Sequence, residues 1–207
     1  MVKYKLTYFN GRGLAEAARQ LFILADQEYE DVRLTREEFA ALKPNLPFGQ
    51  VPVLEIDGHE IAQSKTICRY LANIFGFAGK DAVESAIIDS LADQWTDFDY
   101  ETRPWLFITL GYTDGDAEKL KKEILLPARD KFLGFITKFL KTNADSGYLV
   151  GDKITWIDVW LAESTSDLLD RAPEYLDGFP EVEAHMKKIQ QEPKIKEWLA
   201  RRPITSF

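Results

Sequence analysis

The chain has 207 residues, 45% of them hydrophobic and 29% charged, a composition that suits one or two globular domains able to bury their cores without covalent staples. Its 26 basic and 34 acidic residues leave a formal charge of −8, which excludes a general nucleic-acid binder, because such a protein presents a basic face that displaces phosphate counterions. The single cysteine, Cys68, excludes an internal disulfide, and with neither an apolar signal region near the start nor a run of 18 apolar residues the expectation is a soluble, cytoplasmic protein.

The charge is unevenly spread. Residues 1–78 carry nine Lys/Arg against ten Asp/Glu, whereas the remainder carries seventeen against twenty-four. Structural signals change at the same place. Val2, Tyr4, Leu6 and Tyr8 alternate with polar residues, which predicts a half-buried strand. A turn at Asn10-Gly11-Arg12-Gly13 follows, and then Leu14, Ala17, Ala18, Leu21 and Leu24 fall on one helical stripe. A second strand is expected at Tyr29–Leu34, and Thr35 with Glu38 forms a capping box for a short helix through Leu42.

Residues 44–52 hold three of the nine prolines and must form a loop, since proline withholds backbone donors. Asp57-Gly58 between Val53–Ile56 and His59–Ile61 signals a hairpin. Ser64 is placed to cap a helix with apolar positions Ile67, Cys68, Leu71, Ile74 and Phe75. A linker around 76–80 ends this part. Beyond it the patterning predicts helices near 82–110, 116–141, 155–168, 180–191 and 194–200, with Pro127 kinking or interrupting the second of them. Thr155 and Asp158 form another capping box, stapled by Ile154 and Val159.

Several constellations bear on chemistry. Gly11-Arg-Gly13 between a strand and a helix, with Asp31 twenty residues after Gly11, invites a dinucleotide-binding reading. Glu16, however, stands at the third glycine position, where a carboxylate would repel a pyrophosphate. A thiol–disulfide oxidoreductase needs an exposed cysteine, usually in a pair, but Cys68 is alone on an apolar helix face. No metal site is expected, because His59 and His185 are isolated; His59 is read as a hairpin residue and His185 as a helix-surface residue. Asp89, Asp93 and Asp97 form an acidic ridge, either a solvated face or a partner for a ligand ammonium group. Tyr8 ends the first strand on its apolar face, just before a helix N-terminus. Such a tyrosine can simply pack, or its phenol can donate to a developing anion.

KLTYFNGRG at 5–13, LPFGQVPVLEIDG at 46–58, Gln63-Ser64 and the GDKITWID segment at 151–158, in this order and spacing, resemble a glutathione transferase of the sigma class and its nematode relatives. The resemblance spans nearly the whole chain. It implies an α/β thioredoxin-like N-terminal domain at 1–78 and an all-α C-terminal domain at 81–207 that contributes the electrophile pocket and dimer contacts. It further implies a homodimer that conjugates glutathione, its co-substrate, to small hydrophobic electrophiles.

By this resemblance Tyr8 donates its hydroxyl hydrogen bond to the glutathione sulfur. Gln50 and Val51 bind glutathione, the Val51 backbone pairing with its cysteinyl unit, and Pro52 is cis. Gln63 and Ser64 hold the γ-glutamyl carboxylate, Asp97 of the neighbouring subunit meets the γ-glutamyl ammonium, and Lys43 binds the glycyl carboxylate. Phe39 and Leu14 stand where the sigma-class pattern commonly has tryptophan and arginine, so an indole donor and a cation are missing from the expected site. Phe9, Gly13, Leu14, Tyr100, Pro104 and Trp105 are candidates to line the electrophile pocket, although the aromatics among them could equally be core or dimer contacts. Peroxidase or prostaglandin isomerase activity would be compatible with the same thiolate. The alternative is a non-catalytic ligand carrier or structural protein on the same fold.

Overall fold

A computed structural model describes residues 2–205. Two compact units partition the chain: residues 1–78 together with 189–207, and residues 79–188. Sequence patterning carries the helical part through to the end, whereas in the structure the described residues from Ile189 onward group with the first unit. The physical reason is a set of side-chain bonds between the closing helix and the first one, described below.

The first unit is built on a four-stranded sheet of order β2-β1-β3-β4. Its strands are β1 (Tyr4–Phe9), β2 (Glu30–Leu34), β3 (Val53–Ile56) and β4 (His59–Ala62). β1 and β2 run parallel through the crossover helix α1 (Glu16–Leu24). β3 is antiparallel to both β1 and β4, so the sheet is mixed. Helices α2 (Arg36–Leu42) and α3 (Ser64–Phe75) complete this part of the chain, and α1 and α3 pack on each other. Leu6, Leu21, Phe22, Leu54, Ile67 and Leu71 are fully buried between them. Phe22 stacks on Tyr29 with centroids 4.3 Å apart, and Tyr4 meets it edge-on at 5.3 Å.

The capping box at Thr35 forms as its sequence predicts: Thr35 Oγ1 accepts from the Glu38 N–H, and the Glu38 carboxylate accepts from the Thr35 N–H at 2.7 Å. Two details differ. Leu14 does not join the buried stripe; it lies in a short 3₁₀ turn ahead of α1 and is 42% exposed. Ser64 is the first residue of α3 rather than its cap, a place taken by Gln63 at φ 73° with no side-chain capping bond.

The second unit is helical: α4 (Ala82–Thr109), α5 (Ala117–Leu120), α6 (Leu126–Thr142), α7 (Trp156–Arg171) and the start of α8 (Pro180–Gln190). The last helix, α9 (Pro193–Arg201), belongs to the first unit. Asp81 caps α4 by accepting from the Val83 and Glu84 N–H groups, each at 2.9 Å. The disturbance expected near Pro127 takes the form of a π-helical turn at Lys121–Leu125, with the Leu126 N–H donating to the Lys121 carbonyl five residues back. Proline has no N–H of its own, and widening the preceding turn lets the chain continue as a helix.

The core of this unit includes Ile88, Phe98, Trp105, Phe132, Ile136 and Trp156, with Phe98 and Phe132 stacked at 4.8 Å. At its centre lies the Asp158 carboxylate. It accepts from the Leu149 N–H at 2.8 Å, the Thr155 N–H at 2.8 Å and the Thr155 hydroxyl at 2.7 Å. His185 Nε2 lies 2.9 Å from its Oδ1. The reading of His185 as a helix-surface residue is therefore overturned: it is buried, because a fully buried carboxylate needs every donor within reach.

Candidate functional site

Sheet register brings distant parts of the sequence to one end of the first unit. Thr7 pairs with Val53, and Val53 pairs with Ala62. Tyr8, Pro52 and Gln63 are each one residue beyond that row, on strands that leave, enter and leave the same edge. The Val51-Pro52 peptide is cis, as the resemblance implies. Val51 precedes the paired part of β3. Gln63 is exposed and leads directly into α3. The first turn of α3 has no side-chain cap, so its N–H groups and the positive end of the helix dipole suit a carboxylate.

Tyr8 is 7% exposed. Its hydroxyl oxygen accepts a hydrogen bond from the Leu14 N–H at 3.2 Å. That bond uses an oxygen lone pair and leaves the hydroxyl's role as donor chemically intact. It also polarises the O–H toward donation, as chained hydrogen bonds do. The turn between them requires glycine. Gly13 has φ 38°, and a Cβ there would lie 2.6 Å from Tyr8 Oη. Any larger residue at position 13 must displace the phenol or the turn.

From Tyr8 an aromatic path runs to the loop. The Phe9 ring sits 5.6 Å from Tyr8 and 5.0 Å from Phe39, edge-on to both. Lys43 Nζ stands 5.9 Å from the Phe39 centroid, and the Lys43 stem lies beside Gly49. Lys43 and Gln50 are exposed, free of any protein shell that would bar an anion. Phe39 thus supports Lys43 through packing, where an indole would also donate. Asp97 belongs to the second unit and is exposed on α4. Of the candidate pocket aromatics, Trp105 is buried, while Tyr100 is 64% exposed, with the Arg103 guanidinium 4.1 Å from its ring centroid.

One group of residues near Tyr8 was not anticipated as part of the site. Glu16 and Arg19 are 1% and 0% exposed, and Arg19 Nη1 donates to the Gly11 carbonyl at 2.6 Å and to Glu16 Oε2 at 3.1 Å. Its Nε donates to Asp31 at 3.0 Å, and its Cζ stands 5.9 Å from the Tyr8 ring centroid. A Glu and an Arg three residues apart in a helix that is otherwise apolar but for Gln20 were the available signal. Their remaining partners lie at the far end of the chain and leave no local pattern.

Residues 4–73 match the family model of the glutathione S-transferase N-terminal domain, and residues 100–202 match that of the C-terminal domain. A curated relative from Caenorhabditis elegans, probable glutathione S-transferase 5, is 50% identical over the full length of both chains. The chain belongs to the glutathione S-transferase family.

Among solved structures, a Nu-class transferase from Haemonchus contortus is 52% identical, with a TM-score of 0.92 and full coverage of both chains. Na-GST-3 from the hookworm Necator americanus, described as monomeric, is 52% identical with a TM-score of 0.96, covering 99% of this chain and 100% of that one. In this transferase the thioredoxin-like domain carries no redox cysteine. Cys68 is fully buried, and desolvation pushes its thiol well above the usual range. Glu16, the residue at odds with a dinucleotide site, is occupied instead with Arg19.

Proposed function

We propose that this transferase conjugates glutathione to small hydrophobic electrophiles, with Tyr8 as the residue that stabilises the attacking thiolate. The observation that carries the reading is the Leu14 N–H bond to Tyr8 Oη across Gly13, which aims and polarises the phenol at a helix N-terminus. The magnitudes are sufficient. Lowering a thiol pKa from about 8.5 by roughly 2 units needs about 2.7 kcal/mol. A hydrogen bond to a charged group supplies about 1.5–3 kcal/mol, and a helix N-terminus adds up to about 1. The thiolate is itself the nucleophile, so no permanent base is required.

The peptide of glutathione is read onto the sheet end. Val51, after Gln50 and next to the cis Pro52, pairs with the cysteinyl unit, and Lys43 takes the glycyl carboxylate with Phe39 beneath it. Gln63 and the first turn of α3 at Ser64 hold the γ-glutamyl carboxylate. Asp97 of a second copy meets the γ-glutamyl ammonium in a homodimer, a contact that the acidic ridge on α4 makes chemically sensible. A monomer, as Na-GST-3 is described to be, would have to do without it. The cytoplasm is the compartment that supplies reduced glutathione and suits the lone buried cysteine. Of the class names, sigma is the reading of the motifs, and the Haemonchus relative makes Nu the rival name for the same site.

Glutathione conjugation to an activated aryl halide tests the proposal. Wild type is expected to turn over and Tyr8→Phe to fall about 100-fold, by analogy with losing one donor to a developing anion. Unchanged turnover in Tyr8→Phe would remove Tyr8 from the mechanism. A carrier on the same fold remains the second reading, favoured by one observation: Leu14 presents 42% of its surface where a cation would aid the thiolate. Binding of apolar dyes by wild type without any conjugation would decide for the carrier.

A further inference from the structure

The closing helix reaches the turn that serves Tyr8. Glu16 Oε1 accepts from Trp198 Nε1 at 2.7 Å and from Arg202 Nη1 at 3.0 Å, while its other oxygen accepts from Arg19. Arg19 Nη1 in turn holds the Gly11 carbonyl at 2.6 Å. On the opposite side Arg33, bound to Asp31 at 2.8 Å, donates to Asn10 Oδ1 at 3.3 Å. The segment that presents the Leu14 N–H to Tyr8 is therefore braced at Asn10 and at Gly11. The brace at Gly11 depends on two residues more than 180 positions away.

We infer that Trp198 and Arg202 are positioning residues for the thiolate-stabilising tyrosine, acting through Glu16, Arg19 and the Gly11–Leu14 turn. The inference rests on the reading of Tyr8 given above.

Two physical effects have the same sign. Without the two tail donors, Glu16 Oε1 is a buried carboxylate oxygen with neither of these bonds, and Arg19 is the cation within reach. Drawing Arg19 toward Glu16 slackens its bond to Gly11 and releases the Leu14 N–H from Tyr8. The second effect is charge. Arg19, Arg33 and Arg202 set three cations against the carboxylates of Glu16 and Asp31, and Arg19 Nη2 has no hydrogen-bond acceptor among the described residues. Its positive charge instead stands over the Tyr8 ring, where it draws electron density from the O–H group, stabilises the phenolate relative to the phenol and so strengthens the hydroxyl as a donor. Removing Arg202 leaves the cluster neutral and weakens that field. Both effects raise the pKa of bound glutathione without touching glutathione itself.

The test titrates the thiolate absorbance of bound glutathione in wild type, Tyr8→Phe, Trp198→Phe, Arg202→Met and Arg202→Lys, alongside conjugation kinetics and binding of an S-alkyl glutathione. Trp198→Phe and Arg202→Met are expected to raise the thiol pKa by about 0.5–1 unit and to lower kcat about three- to tenfold. S-alkyl glutathione affinity should stay within twofold, because its sulfur accepts no thiolate stabilisation. Arg202→Lys, which retains the charge, should recover most of the loss. A raised pKa in Tyr8→Phe with unchanged values in both tail variants would overturn the inference while leaving Tyr8 in place. No rise in Tyr8→Phe would overturn the reading of Tyr8 itself. Should Arg202→Met fail to fold, Trp198→Phe, which keeps an aromatic ring in the same packing, gives the same decision.

Discussion

The two units each enclose a carboxylate with almost no exposed surface, and the two are used differently. Asp158 takes two of its hydrogen bonds from Thr155, three residues away, and a third from the backbone of Leu149. Only His185 is distant, at 27 positions. Glu16 takes all three of its described bonds from side chains, two of them 182 and 186 positions away. A carboxylate bound to nearby backbone fixes a helix start and stabilises the fold. One bound to side chains from opposite ends of the chain can be loosened without unfolding its helix, and here it adjoins the turn that orients Tyr8. The comparison separates a stability hub from a hub of the active site.

Removing Asp158 should have the largest effect. Asp158→Ala strands the donors of Leu149, Thr155 and His185, and is expected to lower unfolding stability by about 3–5 kcal/mol, read from denaturant unfolding, with turnover per folded molecule unchanged. If turnover fell in proportion to a lost thiolate instead, the division between the two hubs would fail. At the other hub, Gly13→Ala should do the reverse. The new methyl group displaces Tyr8 Oη, so conjugation falls about 10- to 100-fold. Stability changes by only about 1–2 kcal/mol for a residue forced to positive φ. Equal losses in both measurements would blur the contrast.

The same contrast explains what could be read from the sequence. The capping boxes at Thr35 and Thr155 were legible because both partners lie within one helical turn, and the hairpin because Asp57-Gly58 dictates its own geometry. The helices were legible from their apolar periodicity, their ends to within about three residues, although the one expected at 116–141 is broken by the π-helical turn at Lys121–Leu125. Tyr8, the 44–52 loop and Gln63 could be assembled as a site only through the resemblance, since what unites them is the sheet row Thr7–Val53–Ala62, a register that no local pattern encodes. His185 was misread as surface because a helix position gives no sign of a partner on another helix. The Glu16 hub was hidden for the same reason over a longer span. Leu14 fits a helical stripe by spacing, but the chain has not yet entered the α-helix at that point.

Acid sensitivity gives the smallest effect and also falls on one side of the division. Lys80 holds the Glu84 carboxyl below its usual range, through its ammonium at 2.6 Å and its N–H at 2.9 Å. The Lys141 ammonium does the same for Glu181. In Glu174 the backbone bond acts first and Lys121 second. A depressed folded pKa contributes stability that is fully present above the ordinary Glu value of 4.5 and is lost as pH falls through the lower folded values. All three residues lie in the second unit. A melting-temperature profile should therefore decline modestly below that pH, and Glu84→Gln should flatten it. These groups are largely solvated, so the change is expected to be a few degrees at most. A flat wild-type profile over that range would contradict the assignment.

The most direct measurement is the titration of enzyme-bound glutathione in wild type and Tyr8→Phe. The account predicts a wild-type thiol pKa about 2 units below that of free glutathione, returning most of the way to the free value in Tyr8→Phe while glutathione remains bound. Identical titrations in the two proteins would contradict it, and the phenol between Gly13 and Leu14 would then be a packing residue.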